Sequence, residues 1–416
     1  VIPSTASSRP ASWVAEVRPR MLMLAQNLAL RWHAARGDAL SRVVSSKADP
    51  FPLYEQIRAG GTLVRSSTGM WATASHQLCQ QILRDGRFVV EGQSNGTDAP
   101  ELSLLELDPP DHTRLRRLAA PAFRPRLVAG YEQRMQAVAD ALLDDIDPRG
   151  FDLVDEFAWP LPITVITDVL GVDNVDHITF AKYGKAVADS LSGVTSTRQA
   201  RELRAATDGL SELFTDLMDR RRRAPRDDLM SQLVVAHDGD VLTVAELIAL
   251  CQLLLVAGFE TTVNLIGSAV AMLLDHSDQW SALVADPSLA VGAVEETLRH
   301  QAPVQVTSRI AATSVELAGN QLPKGSIVAL LIGGANRDPL VFNDPHRFDI
   351  SRAGGPEHLA FSSGIHYCLG ANLARREGAV ALRTLATRMP SLRRNGADRY
   401  RTGYTIRGLL KLPVTT

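Results

Sequence analysis

A chain of 416 residues, 45% hydrophobic and 22% charged, can build a large core without disulfide or metal staples. Lys and Arg total 44 against 46 Asp and Glu, a formal net charge of −2, and aromatics are only 5%, which argues against a dedicated nucleic-acid binder and against a stacking platform for single strands. Three dispersed cysteines, Cys79, Cys251 and Cys368, imply no disulfide framework and fit a reducing cytoplasm, and His366-x-Cys368 is too sparse a donor set for zinc.

The opening stretch, 1–37, is arginine-rich with the single acid Glu16 and holds the apolar run Met21-Leu22-Met23-Leu24. That run is too short to span a bilayer and no A-x-A pattern follows it, so an amphipathic first helix is expected. A chain opening on Val1 reads as a trimmed start. Residues 1–45 are expected to lead into one domain, 46–416, since no repeat or low-complexity linker divides the rest.

Next comes Asp108-Pro109-Pro110-Asp111-His112-Thr113-Arg114-Leu115-Arg116-Arg117. The prolines pre-set a helix start. His112 and Arg116, four apart, share a face whose two cationic donors suit a ligand carboxylate as well as a plain basic surface. Leu127, Tyr131, Met135, Val138, Leu142 and Ile146 recur at steps of three and four, the mark of one buried helix face, which Pro148-Arg149-Gly150 ends. Residues 213–223 are also helical, and Arg220-Arg221-Arg222-Arg223 reads as cations favoured by the dipole at a helix C-terminus.

Thr243-Val244-Ala245-Glu246 is a capping box that opens a helix running to about Leu274, on the order of 45 Å. It is apolar nearly all round, but Gln252, Glu260, Asn264 and Ser268 interrupt it, which favours the central helix of a soluble protein over a membrane span. Inside it lies Ala257-Gly258-Phe259-Glu260-Thr261-Thr262. Ala257 and Gly258 remove bulk where a large planar group could lie, and Gly in a helix interior costs roughly 1 kcal/mol relative to Ala and so wants a reason. Thr261 can bond back to a helical carbonyl. Glu260 is a carboxylate among apolar neighbours, where burial raises its pKa toward the range of proton transfer. Taken alone, the motif reads equally as a polar patch satisfied by neighbouring helices.

Glu296-Thr297-Leu298-Arg299 places an acid and a base on one helix face, as a surface pair or a structural anchor. Strand signals follow at 304–311, 314–317 and 327–332, separated by Gly319-Asn320 and Pro323-Lys324-Gly325. A turn-rich segment, 336–357, feeds into Phe361-Ser362-Ser363-Gly364-Ile365-His366-Tyr367-Cys368-Leu369-Gly370, and 371–377 reads as a helix. A thiol just before a helix N-terminus faces free N–H groups and the positive end of the dipole, which favour the metal-binding thiolate. Gly364 and Gly370 bracket it where a flat ligand would need close backbone approach. Haem iron held by a Cys thiolate is one such arrangement.

Four of these motifs, in this order, resemble a soluble bacterial cytochrome P450, from about Asp108 to the C-terminus. Phe361…Gly364-x-His366-x-Cys368-Leu369-Gly370 resembles the family's haem-binding loop, and Ala257-Gly258-Phe259-Glu260-Thr261-Thr262 its oxygen-activating segment. Glu296-x-x-Arg299 resembles its helix pair, and Pro345-His346-Arg347-Phe348 the segment whose arginine joins that pair. Ser362 stands where the family often has Gly, and Glu260 where many members have Asp. The resemblance implies a mainly α fold with a small β part, a helical prism around haem b. It makes Cys368 the axial ligand and therefore the metal-binding residue. It assigns the propionates to His112, Arg116, Arg309 and His366, lines the haem with Phe361, Gly364, Gly370, Ala257 and Gly258, and gives proton delivery to Glu260 and Thr261.

The same resemblance implies a cytoplasmic, monomeric monooxygenase that inserts one atom of O2 into an apolar small molecule such as a polyketide or macrolide, branched lipid, terpenoid or sterol. No reductase domain follows the 371–377 helix, so electrons are expected from a ferredoxin and its NAD(P)H-dependent reductase. Arg114, Arg117, Arg124, Arg126, Arg375 and Arg376 are expected to form the basic face that receives it. The variable pocket maps to 88–106, 191–196, 303–306 and 404–406. A peroxide-using or isomerising haem-thiolate enzyme and a non-catalytic haem or ligand-binding protein stay open, although the Glu260-Thr261 pair speaks against both.

Overall fold

The computed structural model describes residues 28–45, 49–90, 103–172, 177–190, 194, 196–239, 241–352 and 354–416. Its axis is the helix Val244–Asp275, which the capping box starts as expected: Thr243 Oγ1 accepts from Glu246 N at 3.2 Å, and Thr243 N donates to Glu246 Oε2 at 2.9 Å. By length and composition it is apolar enough to cross a membrane, but the protein itself buries it. The helices Pro160–Leu170, His177–Ser190, Ala290–His300 and Ala371–Arg388 pack around it. A largely apolar surface is what a helix packed on several sides needs.

Beside this helical body lies a five-stranded mixed sheet in the order Val64–Arg65, Trp71–Thr73, Ile327–Leu331, Val306–Ala311, Phe88–Val89. Trp71–Thr73 runs parallel to Ile327–Leu331 with Ala72 opposite Ala329, and Val306–Ala311 runs antiparallel to it with Val306 opposite Leu331. The sequence placed the two longer strands to within two residues. Smaller sheets pair Arg399–Tyr400 with Leu409–Lys411, and join Phe151–Asp152, Pro413–Thr415 and Arg393–Arg394.

Three expectations change. The 127–146 periodicity spans two helices, Pro125–Gly130 and Glu132–Asp145, and the second buries Met135, Ala139 and Leu143 while Leu127 is exposed. A stripe at steps of four drifts around a helix, so the mixed steps of three and four misjudged which face turns inward. Arg221 is not a solvent-facing cation at a helix end: it is buried, with Nε 2.5 Å from Asp228 Oδ2. At the N-terminus 1–27 lie outside the described residues, and 28–35 are helical with Leu28 and Trp32 exposed. Leu40 and Val43 of the helix Ala39–Ser45 share a core with Phe51, Tyr54 and Ile57, so domain packing begins before residue 46.

The chain downstream of Ala290–His300 is held by one buried ionic lock. Arg299 Nε and Nη2 each donate to a different Glu296 carboxylate oxygen at 2.8 Å. Its remaining donors reach Asn336 O at 3.0 Å, Pro345 O at 2.8 Å and Arg347 O at 3.0 Å. The third member is Arg352, whose Nε donates to Glu296 Oε2 at 3.1 Å. Arg347, the residue expected there, instead lends its backbone carbonyl while its exposed side chain faces Asp349 at 3.8 Å. Asp349 N also donates to Glu296 Oε1, at 2.9 Å. Glu296 and Arg299 are both buried, so removing one partner strands the other's charge in a low dielectric. Glu296→Ala is expected to cost about 3–5 kcal/mol, read as a lower urea midpoint in chemical denaturation.

Candidate active site around Cys368

Cys368 sits at the end of a loop folded back on itself: Cys368 N donates to Phe361 O at 2.9 Å and Tyr367 N to Gly364 O at 3.1 Å. The helix Ala371–Arg388 begins just after it, with Gly370 as its N-cap. Burial pushes the thiol pKa up, while the Gly370 N–H and the charges of Arg116 and Arg375 pull it down. The net shift is upward, so desolvation outweighs the helix terminus that the sequence argument relied on. Metal binding would supply the missing drive, because a thiolate ligand loses its proton on ligation.

The two glycines of the loop serve different ends. Gly364 has φ +69°, and a Cβ there would lie 2.4 Å from Leu83 O, so its missing side chain admits protein backbone. A Cβ on Gly370 would meet nothing within 4 Å. Ser362 adopts φ +64°, the left-handed region that a Gly at this position would occupy without strain. Phe361 is buried, with its ring 4.5 Å from Arg375 Cζ, and supports the loop from the protein side.

Four donors from distant segments converge beside this loop. The helix Asp111–Ala119 presents His112, buried, and Arg116, whose Nη2 donates to Tyr367 O at 2.6 Å. The rings of His366 and His112 meet at a tilt of 50°, with centroids 4.3 Å apart. Arg309, on the strand Val306–Ala311, is also buried. Burial lowers the pKa of each, to about 10 for Arg309 and about 4 for His366; Arg309 and His112 press on His366, and Arg116 on His112. Both ring nitrogens of His112 and Nε2 of His366 are buried without a hydrogen-bond partner, and the acid facing the group is Asp108, 3.9 Å from His366 Nε2. Orphaned donors of one sign want an anion, and the two propionates of a haem fit that demand.

On the other side runs the central helix. Ala257 is exposed and Thr261 half-buried, and Thr261 Oγ1 donates to Ala257 O at 2.9 Å, the back-bond the sequence allowed. Gly258 has a packing role of its own. A Cβ there would lie 2.8 Å from Ile166 Cδ1, so its bareness lets the helix Pro160–Leu170 pack close. Glu260 is buried as expected, and burial pushes its carboxyl pKa up. It is not alone among apolar neighbours, however: Arg401 Nη2 makes an ion pair with it and opposes that rise.

Of the expected pocket segments, 303–306 and 404–406 come together through a bridge between Val304 and Ile406 and a Gln305 N to Thr405 O bond of 2.8 Å. Residues 91–102, 191–193 and 195 lie outside the described residues. The six-arginine face narrows. Arg114 is engaged by Glu246 and Asp111, Arg375 by Glu295, and Arg376 by Glu132, which leaves Arg117, Arg124 and Arg126 exposed. Sequence reasoning missed Arg401, Arg352 and Asp108. No local pattern marks the first two, whereas Asp108 stood beside the prolines as an unassigned acid.

The cytochrome P450 family model matches residues 173–388. A curated relative from Mycobacterium tuberculosis, putative cytochrome P450 140, is 39% identical over 91% of this chain and 92% of its own length. The 6-deoxyerythronolide B hydroxylase of Saccharopolyspora erythraea is 41% identical over 74% of this chain and 76% of its own. The ligand-free crystal structure of CYP164A2 from Mycobacterium smegmatis superposes with a TM-score of 0.84 at 40% identity, covering 91% of this chain and 99% of that one.

Three substitutions test the loop geometry. Gly364→Ala should fail to hold the Cys368 loop and lose haem incorporation, while Gly370→Ala leaves protein packing intact, compared by thermal melting and haem content. Ser362→Gly should raise stability by about 1 kcal/mol by relieving the left-handed strain, read as a higher unfolding midpoint.

Proposed function

The chain belongs to the cytochrome P450 family, and from that premise we propose that Cys368 is the axial ligand of its haem b and that the enzyme oxidises a hydrophobic small molecule with electrons from a ferredoxin system. The monooxygenase class and the haem b cofactor follow from the family itself. The observation that carries the residue assignment is the convergence of the unpartnered ring nitrogens of His112 and of His366 Nε2 with the guanidinium groups of Arg116 and Arg309, beside Cys368. Among the described residues no group of three or more His, Cys, Asp or Glu is placed to hold a bare metal ion. A metal at Cys368 therefore brings its other ligands with it.

When bound, haem supplies the centre that takes up electrons and O2 and directs one oxygen atom into substrate and the other into water. The chain's own groups do the rest. His112, Arg116, Arg309 and His366 hold the propionates and repay their own desolvation by doing so. Thr261 offers a hydroxyl whose hydrogen is already given to Ala257 O, so its oxygen lone pairs are left to accept. Glu260, one residue away and with its carboxyl pKa raised by burial, is the group through which a proton would pass. Val304 and Ile406, joined by a backbone bridge, would form part of an apolar wall that excludes water and selects substrate. That wall, and a relative named as a 6-deoxyerythronolide B hydroxylase, favour a polyketide, macrolide or similarly lipid-like substrate over a charged metabolite. The enzyme works in the cytoplasm with a ferredoxin and an NAD(P)H-dependent reductase, docked on Arg117, Arg124 and Arg126.

The deciding experiment is the spectrum of the reduced, CO-bound protein. Intact protein should show the red-shifted Soret band of thiolate ligation, and Cys368→Ala should lose it; absence of the band in intact protein overturns the assignment. Spin-state titration with myristic acid, a sterol and a macrolactone then identifies the substrate class. Replacing Arg117, Arg124 and Arg126 together by Gln should slow reduction by ferredoxin at least threefold at low salt and flatten its ionic-strength dependence, since exposed charges steer encounter and are screened by salt.

A further inference from the structure

The helix 28–35 has an inner and an outer side. Leu30, His33 and Ala34 are half-buried, and His33 Nδ1 lies 2.7 Å from Ser67 Oγ, in the turn between the strands Val64–Arg65 and Trp71–Thr73. The outer side carries Leu28, 66% exposed, and Trp32, 55% exposed, one turn apart on the same stripe, with Ala35 exposed beyond them. Arg31 and Arg36 are exposed and, by helical spacing, flank that stripe on opposite sides. Arg36 Cζ lies 4.6 Å from the centroid of the Trp32 ring, so a cation and an aromatic ring are presented together. Arg42, on the next helix, and Arg65, beside the turn that meets His33, are also exposed. The acids of this N-terminal unit are already engaged. Asp38 accepts from Ser41 N and Ser67 N at 2.7 Å and from Ser66 Oγ at 3.0 Å, Glu55 pairs with Arg58, and Asp49 lies 3.5 Å from Arg407. Among the described residues no acid pairs with Arg31, Arg36, Arg42 or Arg65. The sequence ahead of the helix, 1–27, adds Arg9, Arg18 and Arg20 against the single acid Glu16, together with the run Met21-Leu22-Met23-Leu24.

We propose that the outer side of the helix 28–35 docks flat on an anionic phospholipid surface, with Leu28 and Trp32 seated at the boundary of headgroups and acyl chains and Arg31 and Arg36 on the phosphates. A tryptophan ring is apolar over most of its area and donates one hydrogen bond from its edge, which suits that boundary. The exposed stripe is little more than one turn of helix. That is far below the roughly 800 Å² per partner of a stable protein interface, whereas an interfacial helix needs only an apolar stripe with cations beside it. A single weak signal gives marginal attachment, and here an apolar and a basic signal share one surface. Each cation near an anionic leaflet strengthens binding by roughly fivefold, an effect that salt screens. Docking is therefore reversible and set by lipid charge. The docked helix lies in the surface and does not cross the bilayer, and the haem site takes no part in holding it.

The test uses the full haem-loaded chain and two kinds of vesicle, phosphatidylcholine alone and phosphatidylcholine mixed with phosphatidylglycerol. Co-flotation should show partitioning onto the mixed vesicles about fivefold or more above the neutral ones, falling as salt is raised. Lipids brominated on the acyl chain should quench tryptophan emission of the wild type on mixed vesicles, and quench Trp32→Phe distinctly less. The Leu28→Ser/Trp32→Ser double variant should partition about tenfold or more weakly, because the apolar stripe is gone. Arg31→Gln/Arg36→Gln should lose about fivefold or more on mixed vesicles, keep its partitioning on neutral ones and show a flatter salt dependence. All four residues are exposed, so the unfolding midpoints should stay at the wild-type value. Flotation of the wild type on the two lipids needs no variant, so a variant that fails to fold leaves the test standing. Equal partitioning onto both vesicles, or onto neither, overturns the proposal. So does a dimer in sedimentation velocity that Leu28→Ser/Trp32→Ser dissolves, since a second copy then covers the face. Trp32 emission already shielded from acrylamide in the lipid-free monomer means that the chain covers its own face, and overturns the proposal equally.

Discussion

The rest of the structure depends on the buried lock of Glu296, Arg299 and Arg352. Among its described residues, segment 336–357 contains hardly any regular structure and no ladder of its own to hold it in place. Its backbone carbonyls at Asn336, Pro345 and Arg347 are satisfied instead by one guanidinium. That guanidinium is oriented by a carboxylate one helical turn away, which also accepts from Asp349 N and Arg352 Nε. An ion pair this deeply buried is a poor source of net stability, but it is a strict one: its donors are satisfied in a single arrangement of the loop. The loop that delivers Cys368 follows directly from that arrangement.

The site built on this frame is electrostatically unfinished by itself. His112, His366, Arg309 and Arg116 are brought together from a helix, a loop and a strand, with Asp108 as the acid facing them. Burial lowers the proton affinity of each cation and raises that of the Cys368 thiol. Both strains point the same way, since an anionic, metal-bearing ligand relieves them together. The central helix shows the opposite economy. Its acid already has a cation, and that cation is divided with a second helix.

How much of this was legible in the sequence follows the range of each interaction. The capping box of the central helix, the Glu296–Arg299 spacing, the Thr261 back-bond and the strands at 304–311 and 327–332 are local, and each was readable from a few consecutive residues. The errors were equally systematic. Arg347 was named for a role that Arg352 fills, because two arginines in one turn-rich segment cannot be told apart until the loop is closed. Gly258 and Gly364 were read as room for a ligand, yet one admits Ile166 and the other the carbonyl of Leu83. A missing side chain announces that something comes close, without saying what.

By itself the sequence determined the residues that bear the chemistry: a cysteine ahead of a helix, an acid beside an alcohol in a long apolar helix, and cations spaced to share a face. Those properties belong to residue type and short spacing, which the chain carries whatever its fold. Only the tertiary structure decided which charges meet. It gave Glu260 its partner in Arg401, withdrew Arg114, Arg375 and Arg376 from the basic face by pairing them, and set desolvation against the helix dipole at Cys368. The physical reason is that Coulomb and desolvation energies depend on distance and burial in space, and separation along the chain fixes neither.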